Sequence, residues 1–179
     1  MKKKASLLLS LLSGLISLNA SAYVNTYVGA SLAIENIYAN SSHYRAWLPG
    51  LFFGYGGTFE KDYYIAGELG VMYAATLTND YVNRNNSVRM TPVITLSALP
   101  GMVLIPGAIG FLRLGVAEAY IPAPGTWRAG GILGLGLDVN FTPCWSVRSE
   151  YNYYFYRSVE IGTPRNDLFE LSFVYTFDT

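Results

Sequence analysis

Glu68, Arg113, Asp138, Arg148, Glu150 and Glu170 are the residues of this 179-residue chain whose types and spacing could do chemistry as a group. Each sits in a stretch where apolar and polar residues alternate, so each can point away from an apolar face. Four carboxylates and two guanidiniums brought together out of bulk water must pair or lose their charge, because an isolated buried ion is costly. Paired and static, they would make a structural plug. With partners that swap, they would make a gate on a narrow path. Four acids for two bases leave at least one Glu in need of a water, a hydroxyl or a proton.

His43, the single histidine, stands beside Ser41 and Ser42. Histidine, serine and an acid are the minimum for acyl transfer. Asp80 is an acid in another connection, but no motif ties it to His43, and no G-x-S-x-G is present. The expectation is a solvated loop histidine and a protein that is not an enzyme. An enzyme reading, if any, would be acyl modification of lipid A. The sequence shows no metal-ligand cluster, phosphate loop or redox pair. Gly134 and Gly136 lack the third glycine and following helix of a dinucleotide motif. No cofactor or metal is therefore expected. Cys144 is the only cysteine and has no internal disulfide partner.

The elements that must position the charged six are strands. Leu168 to Phe177 puts Phe169, Leu171, Phe173, Tyr175 and Phe177 on one face and Leu168, Glu170, Ser172, Val174 and Thr176 on the other. An apolar aromatic face backed by a mixed one suits a strand with lipid on one side and a polar lumen on the other. Composition agrees: charged residues are 13% of the chain, against roughly 25% in soluble domains. Lys2–Lys4, the apolar run Leu7–Leu18 and the A-x-A site at Ala20–Ala22 read as a signal peptide, 1–22, with cleavage after Ala22. Residues 23–179 then form one domain. It has no basic stripe, which excludes nucleic acid as a partner.

Eight alternating segments follow, at 23–34, 45–59, 63–77, 88–102, 109–121, 127–140, 145–157 and 167–177. The connections at 35–44, 78–87, 122–126 and 158–166 are mostly longer; those at 60–62, 103–108 and 141–144 are mostly shorter. Outer-membrane barrels alternate external loops and periplasmic turns in this way. The fold class is therefore all-β: an eight-stranded antiparallel up-and-down transmembrane β-barrel. Pairing about 142–144 sets Asp138 opposite Arg148 and Gly136 opposite Glu150, all inward, with Leu133, Leu135, Leu137 and Val139 outward. Lumenal glycines make room for large inward side chains of the next strand. Leu99 to Pro122 is apolar enough for a spanning helix, but Pro100, Pro106, Gly107 and Arg113 favour two strands around a Pro-Gly turn. Glu118 then faces outward, at a rim or a bulge. Trp145 and Phe177 mark the periplasmic interface, and Trp47 and Trp127 the external one.

L-P-G at Leu99–Gly101, R-L-G-V-A at Arg113–Ala117, G-L-G-L-D-V at Gly134–Val139, T-P-C-W-S-V-R-S-E-Y at Thr142–Tyr151 and the final strand resemble the small outer-membrane barrels similar to the N-terminal domain of outer membrane protein A. The resemblance covers most of residues 23–179. It implies insertion by the outer-membrane assembly machinery, which reads an aromatic last strand, although here Asp178 and Thr179 follow the usual terminal Phe. With no periplasmic domain after the barrel, cell-wall anchoring is not implied. The expected protein is a monomer in the outer membrane, in contact with outer-membrane lipid and lipopolysaccharide, with a structural role in the envelope. Its loops, carrying Tyr38, Asn40, Tyr44, Asn79, Tyr81, Asn83 and Arg84, could instead serve an adhesin that binds host surface molecules. A narrow ion channel is a further alternative.

Overall fold

The computed structural model describes residues 23–39, 42–60, 62–73, 76–79, 92–121, 125–156 and 165–177. Every element among them is a strand: β1 (Tyr23–Ala39), β2 (Ser42–Phe59), β3 (Tyr63–Met72), β4 (Thr76–Asn79), β5 (Val93–Ile105), β6 (Ala108–Ile121), β7 (Thr126–Asn140), β8 (Trp145–Tyr156) and β9 (Arg165–Phe177). All pairings are antiparallel between neighbours. The sheet closes because β1 pairs with both β2 and β9. β3 and β4 are one barrel strand in two pieces: β2 pairs with β3 through Gly50–Phe59 and with β4 through Tyr44–Trp47. The barrel is thus eight-stranded, and closure leaves no long free edge in the wall.

Alternation decides which side chains line the lumen. Along β8, Ser146, Arg148, Glu150, Asn152, Tyr154 and Tyr156 are buried, while Trp145, Tyr151 and Phe155 are exposed. Along β9, Phe169, Leu171, Phe173 and Phe177 are exposed, and Leu168, Glu170, Ser172 and Val174 are buried. The β7–β8 register sets Asp138 against Arg148 and Gly136 against Glu150. A slip of one residue would have turned these charges outward.

The short-turn end is tight. Pro106 and Gly107 join β5 to β6 as a two-residue turn, with Gly107 at φ +86°. Both strands therefore run closer to the turn than the expected 103–108 connection allowed. Leu104 is an extra residue between the pairs Val103–Ile109 and Ile105–Ala108, and this bulge gives the local twist that lets the strands meet. Across 141–144, the carbonyl of Trp145 accepts from the amides of Phe141 and Thr142, and the Trp145 amide donates to Thr142 Oγ1 at 3.0 Å.

The opposite end differs most from expectation. The span 35–44 is not a ten-residue loop: the β1–β2 ladder continues to Ala39–Ser42. His43 is consequently in β2, paired with Tyr38 at the hairpin tip. The predicted signal segment, Asp80 and most of the connections 78–87 and 158–166 lie outside the described residues.

The lumen holds two apolar clusters. The one toward the short turns is Tyr27, Phe52, Tyr64, Ala66, Leu99, Phe111 and Val174. The other includes Leu48, Met72, Val93, Ile132, Tyr154, Tyr156 and Leu168. Three inward glycines admit the rings and amides. A Cβ at Gly54 would strike the Tyr27 ring, one at Gly134 the Asn152 side chain, and one at Gly136 the Phe111 ring. Gly136 thus makes room for the preceding strand, β6, rather than for Glu150 on the following one.

Candidate functional site

Five of the six charged residues join in one network inside the barrel. Arg113, on β6, forks onto Glu150 of β8: Nε to Oε2 at 2.6 Å and Nη2 to Oε1 at 2.8 Å. Its Nη2 also reaches Glu68 Oε1, on β3, at 2.6 Å. Arg148, on β8, donates from Nε to Asp138 Oδ2 at 2.9 Å and from Nη1 to Glu68 Oε2 at 2.6 Å. Glu68 therefore bridges the two guanidiniums across the lumen. Arg148 and Glu150 are 1% and 2% exposed, so these ions have almost no water to turn to. Bidentate, charge-assisted geometry is what holds such ions in a poorly hydrated interior.

Neighbours that the sequence reading did not single out complete the site. Tyr27 Oη donates to Glu68 Oε2 at 3.2 Å, and Asn152 Nδ2 donates to Glu150 Oε2 at 3.2 Å. The Arg148 guanidinium carbon lies 5.1 Å from the Tyr27 and Phe52 ring centroids and 5.2 Å from that of Phe111. Three aromatic faces around one desolvated cation add cation–π attraction. Inward alternation on β1, β2 and β6 was the available signal for these rings. Their convergence on one arginine required the closed barrel.

Glu170 stands beside the network rather than in it. The register places it directly opposite Glu150. No guanidinium among the described residues forms an ion pair with it, and its Oε2 has no hydrogen-bond partner. Higher in the lumen, Asn166 Nδ2 donates to a second buried acid, Glu35, at 2.7 Å. Glu35 escaped the sequence reading because its strand was expected to end at residue 34.

Outside, Trp145 and Phe177 are exposed at the short-turn end, and Trp47 and Trp127 are exposed toward the other end. Trp145 packs on Tyr175 at 4.9 Å between centroids, and Trp127 on Tyr120 at 5.5 Å. Glu118 is exposed on the outer face, opposite Ala129 and three residues from the end of β6, with no bulge at its position. It is a rim residue. Cys144 is a free, partly exposed thiol in the β7–β8 turn. Among the described residues no group of His, Cys, Asp and Glu could hold a metal ion, and no helix is long and apolar enough to cross a membrane, a test that says nothing of a β-barrel.

A closed, eight-stranded, all-antiparallel barrel with polar contents and an apolar exterior defines the class: the fold of the small outer-membrane β-barrels. Solved structures agree. The chain is similar to Ail, the attachment invasion locus protein of Yersinia pestis, solved in complex with the heparin analogue sucrose octasulfate, at 14% identity and TM-score 0.56 over 86% of this chain and 99% of that one. It is similar to Neisserial surface protein A at 14% identity and TM-score 0.57, over 85% of this chain and 97% of that one. The outer membrane protein Ail of Yersinia pestis in a phospholipid bilayer nanodisc matches at 12% identity and TM-score 0.50, over 86% and 99%. At these identities the likeness is one of fold. No protein-family model and no curated protein matches the chain.

Proposed function

We propose that the protein is an integral outer-membrane barrel with a sealed lumen, whose role is to sustain the envelope and display loops outside, without enzymatic activity. One observation carries this reading: the large hydrophobic side chains on the outer wall are exposed from strand to strand, among them Leu51, Phe53, Leu69, Leu96, Leu112, Leu135, Leu171 and Phe173, while the ionic network faces in. Water is a poor solvent for that exterior and lipid a good one. The tryptophans at both ends suit two membrane interfaces, and lipid and lipopolysaccharide become the immediate partners. The motif Thr142–Tyr151 and the aromatic last strand support a place beside the barrels resembling the N-terminal domain of outer membrane protein A, and with it insertion as a monomer by the assembly machinery after export. The test is heat-modifiability on a denaturing gel after outer-membrane fractionation. A mobility shift on boiling, in that fraction, is the expected result. Soluble periplasmic protein with no shift would refute it.

A second reading, an adhesin for host surface molecules, is supported by the fold shared with Ail and by the Tyr- and Asn-rich external connections. Gly-Ser replacement of 78–87 should then abolish cell binding, and unchanged binding would remove that loop as the contact. An acyl-modifying activity on lipid A rests on His43 alone. Unchanged lipid A mass in a deletion strain would eliminate it.

A further inference from the structure

The sealed-lumen reading accounts for Glu68, Arg113, Asp138, Arg148 and Glu150. It does not account for Glu170. Four carboxylates face two guanidiniums in this stretch of lumen, and the geometry assigns both guanidiniums elsewhere. Glu170 is 2% exposed and its Oε2 lacks a partner. Beside it lies a void of about 10 Å³, lined by Ser31, Phe52, Glu68, Gly70, Thr95 and Arg113 among others. That is room for one water-sized species. Ser31 is 8% exposed, and its Oγ, on the wall of the same void and beside Glu170, makes no well-formed hydrogen bond. Gly70 keeps the space open: a Cβ there would come within 2.7 Å of Thr95 Oγ1.

We propose that this void is a binding site for one monovalent cation of sodium size, held by Glu170 Oε2 and Ser31 Oγ, with Thr95 and Glu68 the other oxygen-bearing side chains on a wall that Leu51, Phe52, Val71 and Met72 otherwise make apolar. The donor chemistry chooses the class. A lone carboxylate with hydroxyls suits a hard, singly charged ion, and the described residues offer no three-acid group of the kind a divalent ion takes. Arg113 also borders the void, but its charge is engaged by Glu150 and Glu68 at 2.6 Å each. A cation compensates Glu170 and coordinates Ser31 in one step. The site extends the sealed-lumen reading and fails separately from it, since conductance tests the seal and cation dependence tests the site.

The experiment uses the folded full-length protein in a non-ionic detergent, with sodium, potassium or N-methylglucamine chloride at constant ionic strength. Loss of the heat-resistant gel band against temperature is the readout, with the ²³Na NMR line width as a direct measure of binding. The wild type is expected to gain about 4 °C or more in sodium over N-methylglucamine and to broaden the ²³Na line. Glu170→Gln is expected to lose both effects, and Ser31→Ala to weaken both. A sodium effect that survives Glu170→Gln overturns the site. So does a wild type indifferent to the cation but stabilised by lowering pH in a Glu170-dependent way, which would mean that a proton does the neutralising.

Discussion

Glu68 is the residue on which the interior turns. It accepts from Arg113 at Oε1 and from Arg148 and Tyr27 at Oε2, so among the described residues it is the acid hydrogen-bonded to both guanidiniums, while Glu150 binds Arg113 and lies 3.8 Å from Arg148 Nη1. Removing it strands part of two buried cations; removing an arginine strands two or three buried acids. Breaking a buried pair on one side costs about 3–5 kcal/mol, because the remaining charge has no water to return to. Arg113→Ala and Arg148→Ala should each lower the unfolding free energy by that order, read as a lower urea midpoint of tryptophan fluorescence, with Arg148→Ala the worse, since it also vacates the cage of Tyr27, Phe52 and Phe111. A combined Arg148→Met, Asp138→Leu variant should recover much of the loss, because it removes one charge of each sign together. If Arg148→Ala left the midpoint unmoved, the network would be ornamental to stability.

At the scale of the strand, the inward glycines and the Pro-Gly turn do the positioning. Tyr27 can reach Glu68 only because its ring occupies the place of a side chain at Gly54. Gly54→Val should therefore cost about 1–3 kcal/mol through overpacking and also displace Tyr27 from Glu68, visible as a changed tyrosine environment in near-ultraviolet circular dichroism. A folded protein with the wild-type spectrum would refute this use of Gly54. Much of this level was legible in the chain. Leu133, Leu135 and Leu137 alternate with Gly134 and Gly136 because one wall face meets apolar solvent and the other a crowded lumen, so the period of two survives in sequence and fixes face and register. What was hidden had physical causes. Ala39–Ser42 pair at the end of a long hairpin whose polar residues read as loop, because a strand beyond an apolar layer no longer needs an apolar face. The contact of Arg148 with Glu68, 80 residues away, depends on barrel closure, which no local pattern encodes. The excess of acids over guanidiniums showed that at least one Glu would need compensation, but that it is Glu170 depends on which acids the two guanidiniums reach in the closed barrel.

For the whole molecule, the decisive property is that solvent preference is inverted: the outside is apolar and the ions are inside. That inversion gives a test on each side of the wall. Leu135 is 61% exposed in the middle of β7, and Leu135→Arg should cost about 2–4 kcal/mol if this surface lies near the bilayer midplane, with little effect expected of a water-facing position. Insertion into vesicles, scored by the heat-resistant band, measures it. Inside, Phe52, Phe111, Tyr64 and Leu99 form one apolar cluster and Leu48, Met72, Ile132 and Tyr154 belong to another, and in the proposed sealed lumen these are the two layers that close it on either side of the ions. A hydrated path would have to pass both layers and the bridges between them. The wild-type protein should thus be silent in a planar bilayer, and neither Arg113→Ala nor Glu150→Gln alone should open it, since each leaves both apolar layers in place. Phe111→Ala with Leu48→Ala thins both and is the variant in which conductance should first appear. Steady wild-type conductance that changes with Arg113→Ala would instead make the ionic bridges themselves the barrier, and the apolar layers would then be lining rather than seal.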